Sequence, residues 1–181
     1  MMAIDCMVNN ELLKRNRAYS NYEVEEIIRV NGNMVFRLAL IRTKQRDKAE
    51  DIFQEVFIRF LKLNERLESE NHERAWLIKT TLNCCKDYWK SAWNRRVVYN
   101  HKEEEVGLEE QEDKHDFIRE IVMELPDKYR TIVHLYYYEE FSIKEIGEML
   151  SVNQNTISTR LMRAREILRR KLEKGGFDYE L

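Results

Sequence analysis

The sequence predicts an all-α protein of two small helical domains, and three observations carry that expectation. Glycine and proline are scarce, 5 and 1 in 181 residues, so little punctuates the chain into turns. Apolar residues return at steps of three and four through several segments, the period of a helix with one buried side. One stretch, His101 to His115, breaks the period with Glu103, Glu104, Glu105, Glu109, Glu110, Glu112 and Asp113, carboxylates that repel one another and leave little to bury. The expected division is a frayed start over 1–21, a domain over 22–96, an acidic linker over 97–115, a second domain over 116–174 and a tail over 175–181.

A first helix is expected from Tyr22 to about Arg42, with Val24, Ile27, Ile28, Met34, Val35, Leu38 and Ile41 on its apolar side. Asn31-Gly32-Asn33 interrupts it and predicts a bend or short break. Asp47 with Glu50 has the spacing of a capping box and opens a helix to about Leu63. Ile52, Val56 and Leu63 point inward, with Phe53, Phe57 and Phe60 widening the stripe. Asp51, Gln54, Glu55, Arg59 and Lys62 remain for the other sides.

Asn64 to Glu73 is polar and aperiodic, a loop. A helix from Arg74 to about Trp93 follows, with Leu77, Ile78, Thr81, Leu82, Cys85, Tyr88 and Trp89 inward. Asn83 and Asp87 lie one turn apart on it, and Lys86, Lys90, Arg95 and Arg96 add bases. Rings beside cations suit unpaired nucleic acid, but on these residues alone a core helix with a basic rim is the favoured reading. Past the linker, Phe117, Ile118, Ile121, Val122 and Leu125 mark a helix ended by Pro126, and Tyr129, Ile132, Val133 and Tyr136 mark the next.

The most informative stretch is Ser142 to Leu172. Ser142 and Glu145 form a capping box ahead of Ile143, Ile146, Met149 and Leu150. Ser151-Val152-Asn153 breaks that helix, and Asn153 is placed to cap another. Ile157, Leu161, Ala164, Leu168 and Leu172 form its inward stripe, opposite Asn155, Ser158, Thr159, Met162 and Arg163. Two short helices joined by a tight turn are often only a packing unit. The charge shifts the reading: Arg160, Arg163, Arg165, Arg169, Arg170, Lys171 and Lys174 face only Glu166 and Glu173, a phosphate-binding footprint.

The overall net charge of -2 hides this segregation and is no argument against nucleic acid. No apolar run approaches a membrane span and the start lacks a signal-peptide core, so a cytoplasmic location is expected. Cys84 and Cys85 are adjacent, Cys6 is remote, and His72, His101, His115 and His134 show no ligand spacing, so no metal is expected. Neither a phosphate loop nor a nucleophile elbow is present; no catalytic residue and no cofactor is expected.

Four segments, in order, resemble the extracytoplasmic-function (group IV) sigma factors of bacterial RNA polymerase: VFRLALIRTKQRDKAEDIFQEVFIRFLK, RAWLIKTTLNCCKDYW, LPDKYRTIVHLYYYEEFSIKEIGEML and NTISTRLMRAREILRRKL. The likeness spans about Tyr22 to Leu172. It implies a dissociable specificity subunit with no covalent chemistry of its own. AEDIFQEVF resembles the sub-region that docks on the clamp helices of the largest catalytic subunit, which makes Asp51, Gln54, Glu55 and Arg59 polymerase contacts, while Phe57 fits either core or interface. The loop with Ser69, Asn71 and His72, and the face with Asn83, Lys86, Asp87 and Lys90, resemble the part that captures a flipped base of the −10 element; Arg95 would join the lysines on phosphates. Asn155, Thr156, Ser158, Thr159, Met162 and Arg163 would read the −35 duplex, with Arg160, Arg165 and Arg169 in backbone or packing roles. Implied partners are core polymerase, including the flap of its other large subunit, promoter DNA and an anti-sigma factor that could hold the protein at the membrane. The chain departs from the family's habit at Asn155, where Gly is common, at Ser158, where a base is common, and before Arg74, where an Arg-Gly pair is missing. A free-standing helix-turn-helix regulator with a dimerising or sensing N-terminal half is the competing reading.

Overall fold

The computed structural model describes the backbone of residues 18–98 and 120–174, and the side chains of 18–91 and 120–173. Among these residues all regular structure is helical: α1 (Asn21–Thr43), α2 (Arg46–Leu61), α3 (Glu70–Val98), α4 (Asp127–Tyr137), α5 (Ile143–Leu150) and α6 (Gln154–Lys174). The acidic stretch, Phe117, Ile118, Cys6, His101 and His115 lie outside the described residues. Contacts group 18–39 with 47–98, and 40–46 with 120–174. No described helix is long and apolar enough to cross a membrane.

In the first unit, α1 starts on a capping box that escaped the sequence reading. Ser20 Oγ accepts from the Glu23 backbone N–H at 3.3 Å, and Glu23 Oε2 accepts from the Ser20 N–H at 2.8 Å. The bend expected at Asn31-Gly32-Asn33 is absent, and α1 runs through. Asn31 bonds back to the Ile27 carbonyl at 3.2 Å inside the helix. Gly32 faces Phe53 of α2, whose ring carbon would lie 3.4 Å from an added Cβ, an ordinary van der Waals contact. α1 ends where Lys44 turns left-handed at φ 58. The α2 helix begins at Arg46, one residue ahead of the expected cap, so Asp47 lies inside its first turn.

The inward side of α2 is Ala49, Ile52, Val56, Phe57 and Phe60. Phe60 meets Trp76 of α3 edge-on at 5.6 Å, beside the fully buried Leu77 and Ile78. Thr81 is buried with its hydroxyl donating to the Leu77 carbonyl at 2.7 Å, so no polar atom is stranded there.

In the second unit a helical turn over 120–123 leads through Pro126 into α4. Val122, Leu125, Tyr129, Val133 and Ala164 form its core cluster, with Ile167 and Leu168 of α6 against it. Arg130 is buried yet well used: its guanidinium donates to the carbonyls of Met123 (2.7 Å) and Leu125 (3.1 Å) and to Asp127 (3.1 Å). The Ser142–Glu145 capping box forms as expected at the start of α5.

Candidate nucleic-acid interface

Local chemistry builds the turn between α5 and α6. Ser151 closes α5 in the left-handed region at φ 54, and the Val152 N–H donates to the Gly147 carbonyl at 2.8 Å. A Cβ on Gly147 would come within 2.8 Å of the Val152 carbonyl oxygen, so only glycine lets the chain return this closely. Asn153 Oδ1 then accepts from the Asn155 N–H at 2.8 Å and caps α6. Ile157, Leu161 and Ala164 are buried, which turns Asn155, Thr156, Ser158, Thr159, Met162 and Arg163 outward as expected. Met162 is 61% exposed, an uncovered apolar side chain on a polar face.

Asn155, Thr156, Thr159, Arg160 and Arg163 converge with Lys128 and Tyr129 of α4 around a cleft of about 400 Å³. A hydrogen bond from Arg163, with Lys128 beside it, pulls the Tyr129 phenol below its ordinary range. Ser158 and Thr159 donate their hydroxyls back to the carbonyls of Gln154 (3.1 Å) and Asn155 (2.8 Å), leaving oxygen lone pairs outward as acceptors. Farther along α6 the bases find carboxylates: Arg169 with Glu173 at 2.9 Å, Arg170 with Glu166 at 2.5 Å, and Lys171 with Glu124. Arg165 donates to the Tyr137 hydroxyl at 2.6 Å and lies over the Tyr136 and Tyr137 rings, which fits the packing role expected of it. These pairs lie at the surface, while Arg160 and Arg163 of the early turns face the cleft. Lys128 and Tyr129 were missed because only the packing of α4 on α6 brings them there.

The second expected surface needs a correction. α3 begins at Glu70, not Arg74, because Ser69 Oγ accepts from the His72 N–H at 3.2 Å and starts the helix. Asn71 and His72 thus belong to the first turn of α3, and only Ser69 ends the loop. His72 Nδ1 takes the Glu68 N–H at 3.4 Å. Asn83, Lys86, Asp87 and Lys90 are all exposed, while Thr81 just before them and Cys84 and Cys85 among them are buried. Burial pushes the Cys84 thiol up, which makes it a poor nucleophile. The side chain of Arg95 lies outside the described residues.

On α2, Asp51 and Gln54 are exposed and Glu55 and Arg59 half-buried. Arg59 Nε and Glu55 Oε1 are 2.7 Å apart, a bond that raises the Arg59 pKa; Lys48 reaches Asp51 at 3.2 Å. Phe57, which fitted core or interface, is 1% exposed and belongs to the core.

Comparison with known proteins covers both units. The family description "Sigma-70 region 2" matches residues 27–95 and "Sigma-70, region 4" matches residues 117–168. RNA polymerase sigma factor SigV of Bacillus subtilis is 30% identical over 140 residues, 77% of this chain and 84% of the relative. ECF RNA polymerase sigma factor SigM of Bacillus subtilis is 28% identical over 172 residues, 86% and 98% of the two chains. Among solved structures, the sigma factor RpoE from Bartonella quintana, co-crystallised with the anti-sigma factor NepR, has the same fold with a TM-score of 0.73 at 17% identity, over 83% of this chain and 97% of its own. CnrH in complex with the cytosolic domain of CnrY gives 0.61 at 16% identity, over 86% and 90%.

Proposed function

This chain belongs to the extracytoplasmic-function sigma factors of the sigma-70 family, subunits that direct RNA polymerase to promoters, and on that premise we propose how its surfaces divide the work. The first domain, taken as 22–96, docks on the clamp helices of the polymerase through Asp51, Gln54, Glu55 and Arg59. Arg59 held against Glu55 presents the two as one paired unit rather than as separate charges. The start of α3 and its exposed side, with Ser69, Asn71, His72, Asn83, Lys86, Asp87 and Lys90, hold the opened −10 strand. Unstacking a base costs a few kcal/mol, which contacts on this surface must return.

The second domain, taken as 116–174, reads the −35 duplex with the first turns of α6. The observation that carries this reading is the cleft where Lys128, Arg160 and Arg163 meet Asn155 and Thr159: cations for a phosphate beside short polar groups for base edges. Asn155 adds an amide where the family commonly leaves glycine, and Ser158 an acceptor where it commonly has a base, so the preferred −35 sequence differs from that of such relatives. The protein acts in the cytoplasm without covalent chemistry of its own, and an anti-sigma factor restrains it, as the RpoE–NepR complex suggests.

Run-off transcription with purified core polymerase on a pool of promoter fragments tests this. Discrete starts that require the chain support it. Arg163→Ala and Asn83→Ala should each cut transcription about tenfold, the first through −35 and the second through −10 substitutions in the template. Tight duplex binding by the chain alone, with core polymerase indifferent to it, would favour the free-standing regulator.

A further inference from the structure

The loop between α2 and α3, residues 62–69, is held at several points by the short segment 18–23 that leads into α1. Tyr19 is the centre of that hold. Its ring is 4% exposed and lies 4.8 Å from Phe60. Its hydroxyl accepts the Leu67 N–H at 2.9 Å and also bonds Glu73 in the first turn of α3. Arg66 lies over the outer ring face at 5.2 Å and reaches Glu23 at 2.7 Å. The Ala18 N–H meets the Leu63 carbonyl at 3.4 Å.

We propose that residues 18–23 are a positioning strap for −10 capture, with Tyr19 holding loop 62–69 and the start of α3 in their DNA-ready shape before DNA arrives. The proposal rests on the −10 reading of Ser69, Asn71 and His72. The strap reaches those residues through two bonds: Tyr19 fixes the backbone at Leu67, and the next N–H, of Glu68, fixes the His72 ring. A loop built in advance forfeits no ordering entropy at the moment a base is captured, so the strap acts on affinity for the strand without touching it. Glu23 contributes as the anchor of Arg66, and its own carboxyl is held down to about 2, first by the Ser20 hydrogen bonds and then by Arg66.

The test uses the full chain bound to core polymerase and a fluorescent single-stranded oligonucleotide carrying the −10 non-template strand of a promoter fragment that gives a discrete run-off start. Tyr19→Phe keeps the ring and removes the hydroxyl. We expect a threefold to tenfold loss of oligonucleotide affinity, on the order of one hydrogen bond. Affinity for core polymerase and for a −35 duplex should be unchanged. Glu23→Gln is the second variant, should Tyr19→Phe fold poorly. Removing a negative charge ought to strengthen DNA binding on Coulombic grounds, whereas a loosened strap weakens it. Wild-type oligonucleotide binding by Tyr19→Phe, while Asn83→Ala and His72→Ala lose it, overturns the strap and spares the −10 reading. Wild-type binding by all of them overturns both. Equal losses for the oligonucleotide, the −35 duplex and core polymerase would show damaged folding instead of positioning and would also overturn it.

Discussion

The two helices assigned to DNA are introduced in opposite ways. The turn before α6 is made by its own residues: a left-handed Ser151, a Val152 N–H returned to Gly147, and Asn153 as cap. The loop before α3 ends in a similar cap at Ser69, but its course is set from outside, by Tyr19 and Glu23. Each surface is therefore vulnerable in a different place. A local turn is broken only by changing the turn, whereas a strapped loop can be loosened by residues some 45 positions away in sequence.

The largest effect should come from Gly147→Ala, which drives a Cβ into the Val152 carbonyl. About 1–3 kcal/mol of stability should be lost in denaturant unfolding of the full chain, with −35 duplex binding by the holoenzyme falling and −10 oligonucleotide binding preserved. Ser142→Ala removes one half of a reciprocal cap and should cost about 1 kcal/mol by the same measurement. The strapped side has its own signature in acid. The Glu23 carboxyl titrates near 2 when folded against an ordinary unfolded value of about 4.3, so its contribution is complete above the unfolded value and is lost as pH falls toward 2. The difference in melting temperature between the wild type and Glu23→Gln should therefore shrink across that window and stay flat above it. The smallest effect, of opposite sign, is expected for Ser151→Gly. Relief at φ 54 is partly offset by a freer unfolded chain, leaving a gain of about 0.5 kcal/mol in unfolding free energy.

The same contrast explains what could be read from residues alone. The cap at Ser142, the cap at Asn153 and the Ile157–Leu161–Ala164 stripe follow local rules, and the structure has all of them. Asn31-Gly32-Asn33 reads as a break by local rules, yet α1 runs through it with Gly32 against Phe53 of another helix. Asn64 to Glu73 looked like a uniform polar loop because Ser69 as cap is one hydroxyl among many polar groups. The cleft was half legible: periodicity turned Asn155 and Arg163 outward, but nothing in the spacing brought Lys128 and Tyr129 to them. Along α6, the pairing of Arg170 with Glu166 and of Arg169 with Glu173 follows the i,i+4 spacing and was legible in the sequence.

Arg130 has a consequence for anyone who would exchange DNA-reading units between relatives. Pro126 looks like a natural seam, yet the buried Arg130 guanidinium, one turn past it, grips the carbonyls of Met123 and Leu125 as well as Asp127, and Val122 and Leu125 pack in the same core as Ala164. A chimera joined at Pro126 would pair one parent's Arg130 with another parent's backbone and split the core cluster between them. Joined ahead of residue 120, Arg130 keeps its own carbonyls and the core cluster stays with one parent.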